Sequence, residues 1–402
     1  MNGKRIVITG MGIVSPLGND ISTFWDNLYQ GKNGVKVIDY FDELHFDNRL
    51  YGLVDNHEFK QSLNTRELVL GRSSAFCVEA TRQALADADV FTSTNNVENI
   101  GVCLGTTLGD NDLLEKFGIF CGERNDLEQS YSYHSIGSPA QNIARYFRLH
   151  GPNITVSTAC SSSAYSLTTS CDLIINDMVP IIICGGVESL STVVQANFIR
   201  LNALDSEKIR PFDKQRSGTL LAEGAGILIV ESLDNAKYRN TSILGEITGV
   251  GLSCDGYHES APDPTRKQIV RAMQEAIKDA GLTPGDIDCI CAHGTGTKLN
   301  DYNETEAIKT VFGNFAYETP VTSIKSMLGH SAGAAFCMQA VAACLMIKHS
   351  TIVPTINYEN KDDECDLDYC VNYSRECTVE NVLINSYGFG GNNASIIISK
   401  YV

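Results

Sequence analysis

The strongest constraint on what this chain can fold into is that it repeats itself. The segment VITGMGIVSPLGND at Val7–Asp20 recurs as EITGVGLSCDGYH at Glu246–His258, and a repeat this long means one structural unit built twice. Further pairs follow in the same order. NIGVCLGTTLGD from Asn99 matches IDCICAHGTGTKLND from Ile287, and ITVSTACSSS matches VTSIKSMLGHS. IIICGGVES and GAGILIVES match VLINSYG and ASIIISK. Each is a short apolar run entering a turn, the pattern of a buried strand. Between them, Ser73–Ala86, Lys267–Ala280 and Ala332–Ile347 carry apolar residues at three- and four-residue spacing, which predicts helices. The expected fold is therefore α/β, with two similar halves spanning residues 1–240 and 241–402 and meeting near Asp234–Ser242. The linker SLDNAKYRNTS is too short for freely moving domains, so one body is expected. Gly105–Tyr133 is the least regular stretch and reads as a surface insertion or partner contact.

Composition narrows the function classes. A formal charge of -17 argues against binding nucleic acid or an anionic membrane surface, because approach to a polyanion would meet an unfavourable field. An acidic partner would need a local basic patch. The 14 cysteines are scattered without a CxxC ladder, which points to a reducing cytoplasm. Met1–Gly18 lacks the sustained apolar stretch of a signal peptide, and no run is expected to span a bilayer.

Four segments carry chemistry. In NITVSTACSSSAYSL, Cys160 follows a strand and precedes small residues that can start a helix, so helix-end N–H groups should lower its pKa. The flanking small residues leave room for a substrate and an oxyanion. His293 ends the strand DCICAH, and the GTGT after it places Thr295 and Thr297 where hydroxyls can meet a polar ligand. That loop lacks the GK[ST] ending of a phosphate-binding P-loop. Lys325 and His330 stand five residues apart in SIKSMLGHSAGAA, and Phe389 sits between glycines in NSYGFGGNNAS. Cys160, His293 and His330 also allow a zinc site, but none has paired ligand spacing, so covalent catalysis ranks above metal.

The ordered set TACSSS, AHGTGT, KSMLGHSAGAA and GFGG, with RPFDKQRSGTLLAEGAG and TINYEN, resembles the condensing enzymes of the thiolase superfamily. The likeness is greatest to β-ketoacyl-acyl carrier protein synthase II and its type II polyketide relatives. It implies a five-layer αβαβα fold of duplicated halves. It also implies a homodimer, or a heterodimer with a chain-length partner, and an acyl carrier protein as partner. Cys160, His293 and His330 would form the catalytic set, with Lys325 as structural or electrostatic lysine. Cys160 and Phe389 would supply oxyanion N–H groups, with Phe389 also the gate. Thr295 and Thr297 would contact phosphopantetheine, and Leu108 and His134 would lie at the distal end of the acyl pocket. No cofactor of the protein's own is implied, since phosphopantetheine arrives on the carrier protein. Lys60, Arg66, Arg72, Arg200 and Lys208 are the candidate docking cations.

Departures from that pattern point toward a specialised pathway. Gln339 stands where fatty-acid members carry a glutamate nine residues after the second histidine, Asn392 replaces a threonine, and HGTGT is the polyketide-type form. Three other readings compete. A non-catalytic chain-length partner normally lacks the cysteine. A thiolase acting on coenzyme A thioesters would present a second cysteine where GFGG stands. A cysteine hydrolase would leave the glycine-threonine loop unexplained.

Overall fold

The computed structural model describes residues 4–38, 49–55, 70–90, 99–116 and 135–402. Among these, the largest sheet has ten strands: β1 (Ile6–Val14), β2 (Gly101–Gly105), β3 (Asn153–Val156), β4 (Ile181–Glu188), β5 (Gly224–Ser232), β6 (Gly245–Cys254), β7 (Cys289–Cys291), β8 (Val321–Thr322), β9 (Asn381–Gly388) and β10 (Asn392–Ser399). Their order is β3-β2-β4-β5-β1-β6-β10-β9-β7-β8. The two halves of that order are the same arrangement. In each, the second strand of the half pairs in parallel with both its neighbours, and the remaining contacts are antiparallel. Only three residue pairs, Ile6↔Ile247, Val7↔Glu246 and Ile8↔Gly245, join β1 to β6 across the centre.

The repeated ITGxG motif has a physical reason. The β1–β5 ladder slips at Thr9, and the β6–β10 ladder slips at the equivalent Thr248. Each slip is a β-bulge that turns the strand. Just beyond, the covering helices α1 (Arg72–Asp87) and α4 (Lys267–Asp279) press against glycine. A Cβ on Gly12 would lie 1.8 Å from the Ala80 carbonyl oxygen, and one on Gly251 would lie 1.9 Å from that of Ala272. No side chain fits at either place.

Three apolar layers of contact follow. Phe76, Val78 and Leu85 of α1 pack on Val102, Ile183 and Ile229 of the first half. Helix α2 (Ser162–Ile175) and, after α3 (Thr192–Arg200) and α4, helices α5 (Lys298–Phe312) and α6 (Ala335–His349) complete the covering. Ile269 and Met273 of α4 and Ile308 of α5 pack on Ile290, Leu383 and Ile397 of the second half. Between the halves, Leu167 and Ile174 of α2 and Phe336 and Leu345 of α6 share one core with Ile182, Ile384 and Ile396. The result is α-β-α-β-α.

This middle layer explains a departure from the sequence expectation. Ala332–His349 is long and apolar enough to cross a bilayer, yet 89% of it is buried within the protein. A helix flanked by sheet on two sides must be apolar all round. In the irregular stretch, Asn111–Lys116 is helical, and residues 117–133 lie outside those described. All the described cysteines are free.

Candidate active site

The nucleophile turn is built by its own hydroxyls. β3 ends at Val156, and Ala159 adopts φ +52°, a left-handed conformation that costs a residue with a Cβ about 1–2 kcal/mol. Ser161 Oγ donates to the Thr158 carbonyl at 2.8 Å, and Ser162 Oγ donates to that of Ala159 at 2.6 Å. The small residues after Cys160 therefore lock the turn; they are buried and do not open space for a substrate. From the second half, Ser386 Oγ donates to the Cys160 carbonyl at 3.1 Å. Gly388 lets that strand approach, since a Cβ there would meet the Thr158 oxygen at 2.6 Å.

The histidines are positioned through their backbones. His293 leaves β7 with its N–H, and that of Gly294, donating to the Glu304 carboxylate at 2.8 Å each, while Asn385 Nδ2 donates to the same group at 3.2 Å. His330 is stitched to the first half: its N–H donates to the Leu220 carbonyl at 2.7 Å, and its carbonyl accepts from Ala222 at 3.0 Å. These contacts bring His330 Nε2 to 3.0 Å from Cys160 Sγ. The two imidazoles meet edge to face with centroids 5.6 Å apart.

Burial governs the electrostatics. Loss of water pushes the Cys160 thiol up to about 11, against the pull of Lys325 and of the Phe389 and Cys160 N–H groups, with Glu188 adding to the rise. The expected lowering by the helix end is thus outweighed at rest. Burial, reinforced by the Lys325 charge, lowers His330 to about 3 and holds His293 well below the usual imidazole range. At neutral pH the site holds a neutral thiol beside two neutral imidazoles. The glutamate expected to pair with Lys325 is absent, and Lys325 Nζ donates to Gln339 Oε1 at 3.2 Å.

Two cavities flank the sulfur. One, about 590 Å³, is lined by Cys160, His293, His330, Thr295, Thr297 and Phe389, among others. Thr295 and Thr297 share a hydrogen bond of 2.9 Å. The other, about 350 Å³, runs past Thr107, Leu108, Ala159, Val194 and Phe198. Phe389 stands between them, its ring 5.8 Å from that of Phe198 and 37% exposed. No three histidine, cysteine or acidic side chains among the described residues form a cluster able to hold a metal ion.

The outlying candidates separate. Lys60, Arg66 and His134 lie outside the described residues. Arg72 is not a surface cation: its Nε donates to Glu223 at 2.6 Å, and the two side chains are 10% and 0% exposed. The segment after Ala222 draws it inward. Lys208 pairs with Glu359, so its charge is already compensated. Arg200 is exposed at the end of α3 and lines the smaller cavity.

Glu304 was not among the candidates. Burial raises it to about 7 against the pull of the Gly294 and His293 N–H groups. A sequence signal existed, because Asp301 and Glu304 fall on the same stripe of α5 as Ile308 and Phe312, and carboxylates on an apolar stripe need partners. Asp301 finds its own in the Phe212 N–H at 2.8 Å and the Gly296 N–H at 3.2 Å.

Comparison with known proteins places this site in a family. The beta-ketoacyl synthase N-terminal domain matches residues 3–236, and the C-terminal domain of that family matches residues 244–359. A 3-oxoacyl-[acyl-carrier-protein] synthase 2 from Coxiella burnetii is 36% identical over 414 residues, covering 100% of this chain and 99% of the relative. Among solved structures, the ishigamide ketosynthase/chain length factor superposes with TM-score 0.91 at 36% identity, over 99% of this chain and 100% of the other. A type II polyketide ketosynthase bound to the hexaketide, in complex with its acyl carrier protein, superposes with TM-score 0.91 at 30% identity, again over 99% and 100%. With both domains matched in order and relatives aligned end to end, the chain belongs to the β-ketoacyl synthase family of condensing enzymes.

Proposed function

We propose that this chain is a 3-oxoacyl-[acyl-carrier-protein] synthase acting in cytoplasmic type II fatty acid, polyketide or polyene synthesis. The observation that carries the reading is the 3.0 Å contact between Cys160 Sγ and His330 Nε2 at the foot of the larger cavity, with His293 edge-on to it.

The chemistry runs in two halves. Cys160 sulfur attacks the carbonyl of an acyl thioester, and the oxyanion accepts hydrogen bonds from the Cys160 and Phe389 N–H groups. The carrier thiol leaves with the proton that Cys160 gave up, relayed by His330. A malonyl thioester then enters along Thr295 and Thr297, and its thioester carbonyl accepts hydrogen bonds from His293 and His330. Its carbon–carboxylate bond breaks, CO2 leaves, and the electron pair remains as an enolate. The enolate carbon attacks the acyl-Cys160 carbonyl, and collapse expels the Cys160 thiolate, which is reprotonated. The acyl chain occupies the smaller cavity past Leu108. The carbon atoms come from the two thioesters and the proton returned to Cys160 comes from water, so the reaction calls for no cofactor of the protein's own.

The carrier protein approaches a surface that is acidic overall, so docking relies on local cations such as Arg200. Strand β3 ends the sheet with β2 as its one strand partner among the described residues, and a second copy or a chain-length partner pairs there. The test is the intact mass of the protein after incubation with acyl carrier proteins bearing a series of chains. Covalent addition at Cys160, followed by release of a 3-oxoacyl product on adding malonyl-carrier protein, is the expected result. Absence of any adduct from the folded protein overturns the reading.

A further inference from the structure

An ammonium removed from water usually sits beside a carboxylate, because desolvation is costly and an opposite charge recovers much of it. Lys325 does not follow this pattern. It is 2% exposed, and its Nζ makes its one side-chain hydrogen bond among the described residues to the Gln339 amide oxygen at 3.2 Å. Gln339 is itself 1% exposed. Its Nε2 is committed to the Ala292 carbonyl at 2.8 Å, with Cys291 Sγ at 3.4 Å, so its oxygen is left for Lys325. The orientation of the amide is set by these neighbours.

The charged groups that face Lys325 come from several elements, and none is an ion-pair partner. Glu304 and Asp301 on α5 act on Lys325 through space and oppose its lowering, but their hydrogen bonds go to the N–H groups of His293, Gly294, Phe212 and Gly296. Cys291 of β7 and Cys160 of the nucleophile turn face it as thiols, and His293 and His330 feel it as neutral rings. Glu188 of β4 acts on Cys160 with opposite sign.

We infer that Gln339 is a positioning residue that leaves Lys325 without a hydrogen-bonded carboxylate, so that its charge acts on Cys160 and the protonation of Lys325 sets how readily Cys160 becomes a nucleophile. Two features support this. Lys325 is buried with the neutral Gln339 oxygen, 3.2 Å away, as its one side-chain hydrogen-bond partner among the described residues, and it is the largest pull lowering the Cys160 thiol while burial brings Lys325 itself down to about 8. Below that pH the ammonium favours the thiolate; above it the support is withdrawn.

The experiment needs no substrate and is independent of the proposed reaction. The full chain is alkylated with iodoacetamide from about pH 6 to about pH 9.5, and the label on the Cys160 peptide is quantified by mass spectrometry, since the alkylation rate follows the thiolate fraction. The wild-type rate rises with pH and bends to a shallower slope near pH 8. In Gln339→Glu a carboxylate retains the Lys325 proton, so the bend moves up by about one unit or more. The added negative charge also slows labelling at neutral pH by about tenfold, the effect of one pKa unit. In Gln339→Met the ammonium loses its last partner and the bend moves down. Thermal melts establish that each protein is folded, and if Gln339→Glu is not, the downward shift in Gln339→Met decides. Superimposable bends, or shifts in the same direction in both variants, overturn the proposal.

Discussion

His330 Nε2 lies 3.0 Å from Cys160 Sγ although 170 residues separate them in sequence, whereas the His293 ring meets the His330 ring at nearly right angles with centroids 5.6 Å apart. This asymmetry divides the two half-reactions. His330→Ala should slow both acyl transfer to Cys160 and malonyl decarboxylation, each by about a hundredfold, the usual scale for loss of a proton-handling group. His293→Ala should slow decarboxylation to a similar degree and leave acyl loading within a few-fold of wild type. Single-turnover loading and CO2 release, measured separately, distinguish the two, and equal loss of loading in both variants would contradict the geometry.

Cys160 itself is tested by two substitutions with different outcomes. Cys160→Ala removes the acyl-accepting sulfur, so intact mass should show no acyl adduct and condensation should cease. Cys160→Gln presents an amide resembling an acylated cysteine. Decarboxylation of malonyl-carrier protein should persist or rise in it while condensation disappears.

The buried imidazoles also set a stability trend. In the folded protein His330 is held near 3 and His293 well below its usual range, whereas an unfolded histidine titrates near 6.5. As pH falls through 6.5 the unfolded chain takes up protons that these rings refuse, so stability is lost on acidification. Between pH 7 and about pH 5.5 the His330 ring contributes about 1 kcal/mol of that loss, and His293 adds in the same direction. Urea midpoints at the two pH values should show a smaller acid penalty in His330→Gln than in wild type. An unchanged penalty means that the ring is charged in the fold.

Glu304 accepts two backbone N–H groups beside His293, and its removal strands both inside the protein. Each unpaired buried donor costs about 1–3 kcal/mol. Glu304→Ala should therefore lower the melting temperature clearly and reduce decarboxylation more than alkylation of Cys160, because the loop it holds carries His293 and not the nucleophile.

Arg72 and Arg200 should behave oppositely. Breaking the enclosed Arg72–Glu223 pair with Arg72→Ala costs about 3–5 kcal/mol of folding stability. The folded fraction should use carrier-protein substrates normally. Arg200→Glu should leave stability unchanged but lower kcat/KM for carrier-protein substrates by about fivefold or less, since exposed pairs contribute about 0.2–1 kcal/mol. Short pantetheine thioesters should be unaffected, and added salt should erase the difference. If salt slows both substrate types alike, Arg200 is not a docking residue.

Much of this protein is legible before any coordinates. The repeated ITGxG segments state that there are two equivalent halves, although that their glycines lie under α1 and α4 emerges only from the packed structure. The strand-turn-helix pattern singles out Cys160 because turn residues and apolar periodicity are local properties that a short window contains. Other properties depended on the assembled fold. Arg72 and Arg200 are both cations in polar segments, and only the packing of the Glu223 segment buries one while the end of α3 exposes the other. The thiol of Cys160 is raised rather than lowered because the second half closes over it, and desolvation depends on everything that surrounds a group, not on its neighbours in sequence. For the same reason the apolar stripe of α5 could flag Glu304 as a carboxylate in need of partners, but only the docked helix shows that those partners are the N–H groups of His293 and Gly294. The contact of Cys160 with His330 required two halves, joined at the centre by three residue pairs of β1 and β6, to be placed to within a fraction of a hydrogen bond, and that distance is set by the packing of the middle layer together with the backbone bonds of His330 to Leu220 and Ala222.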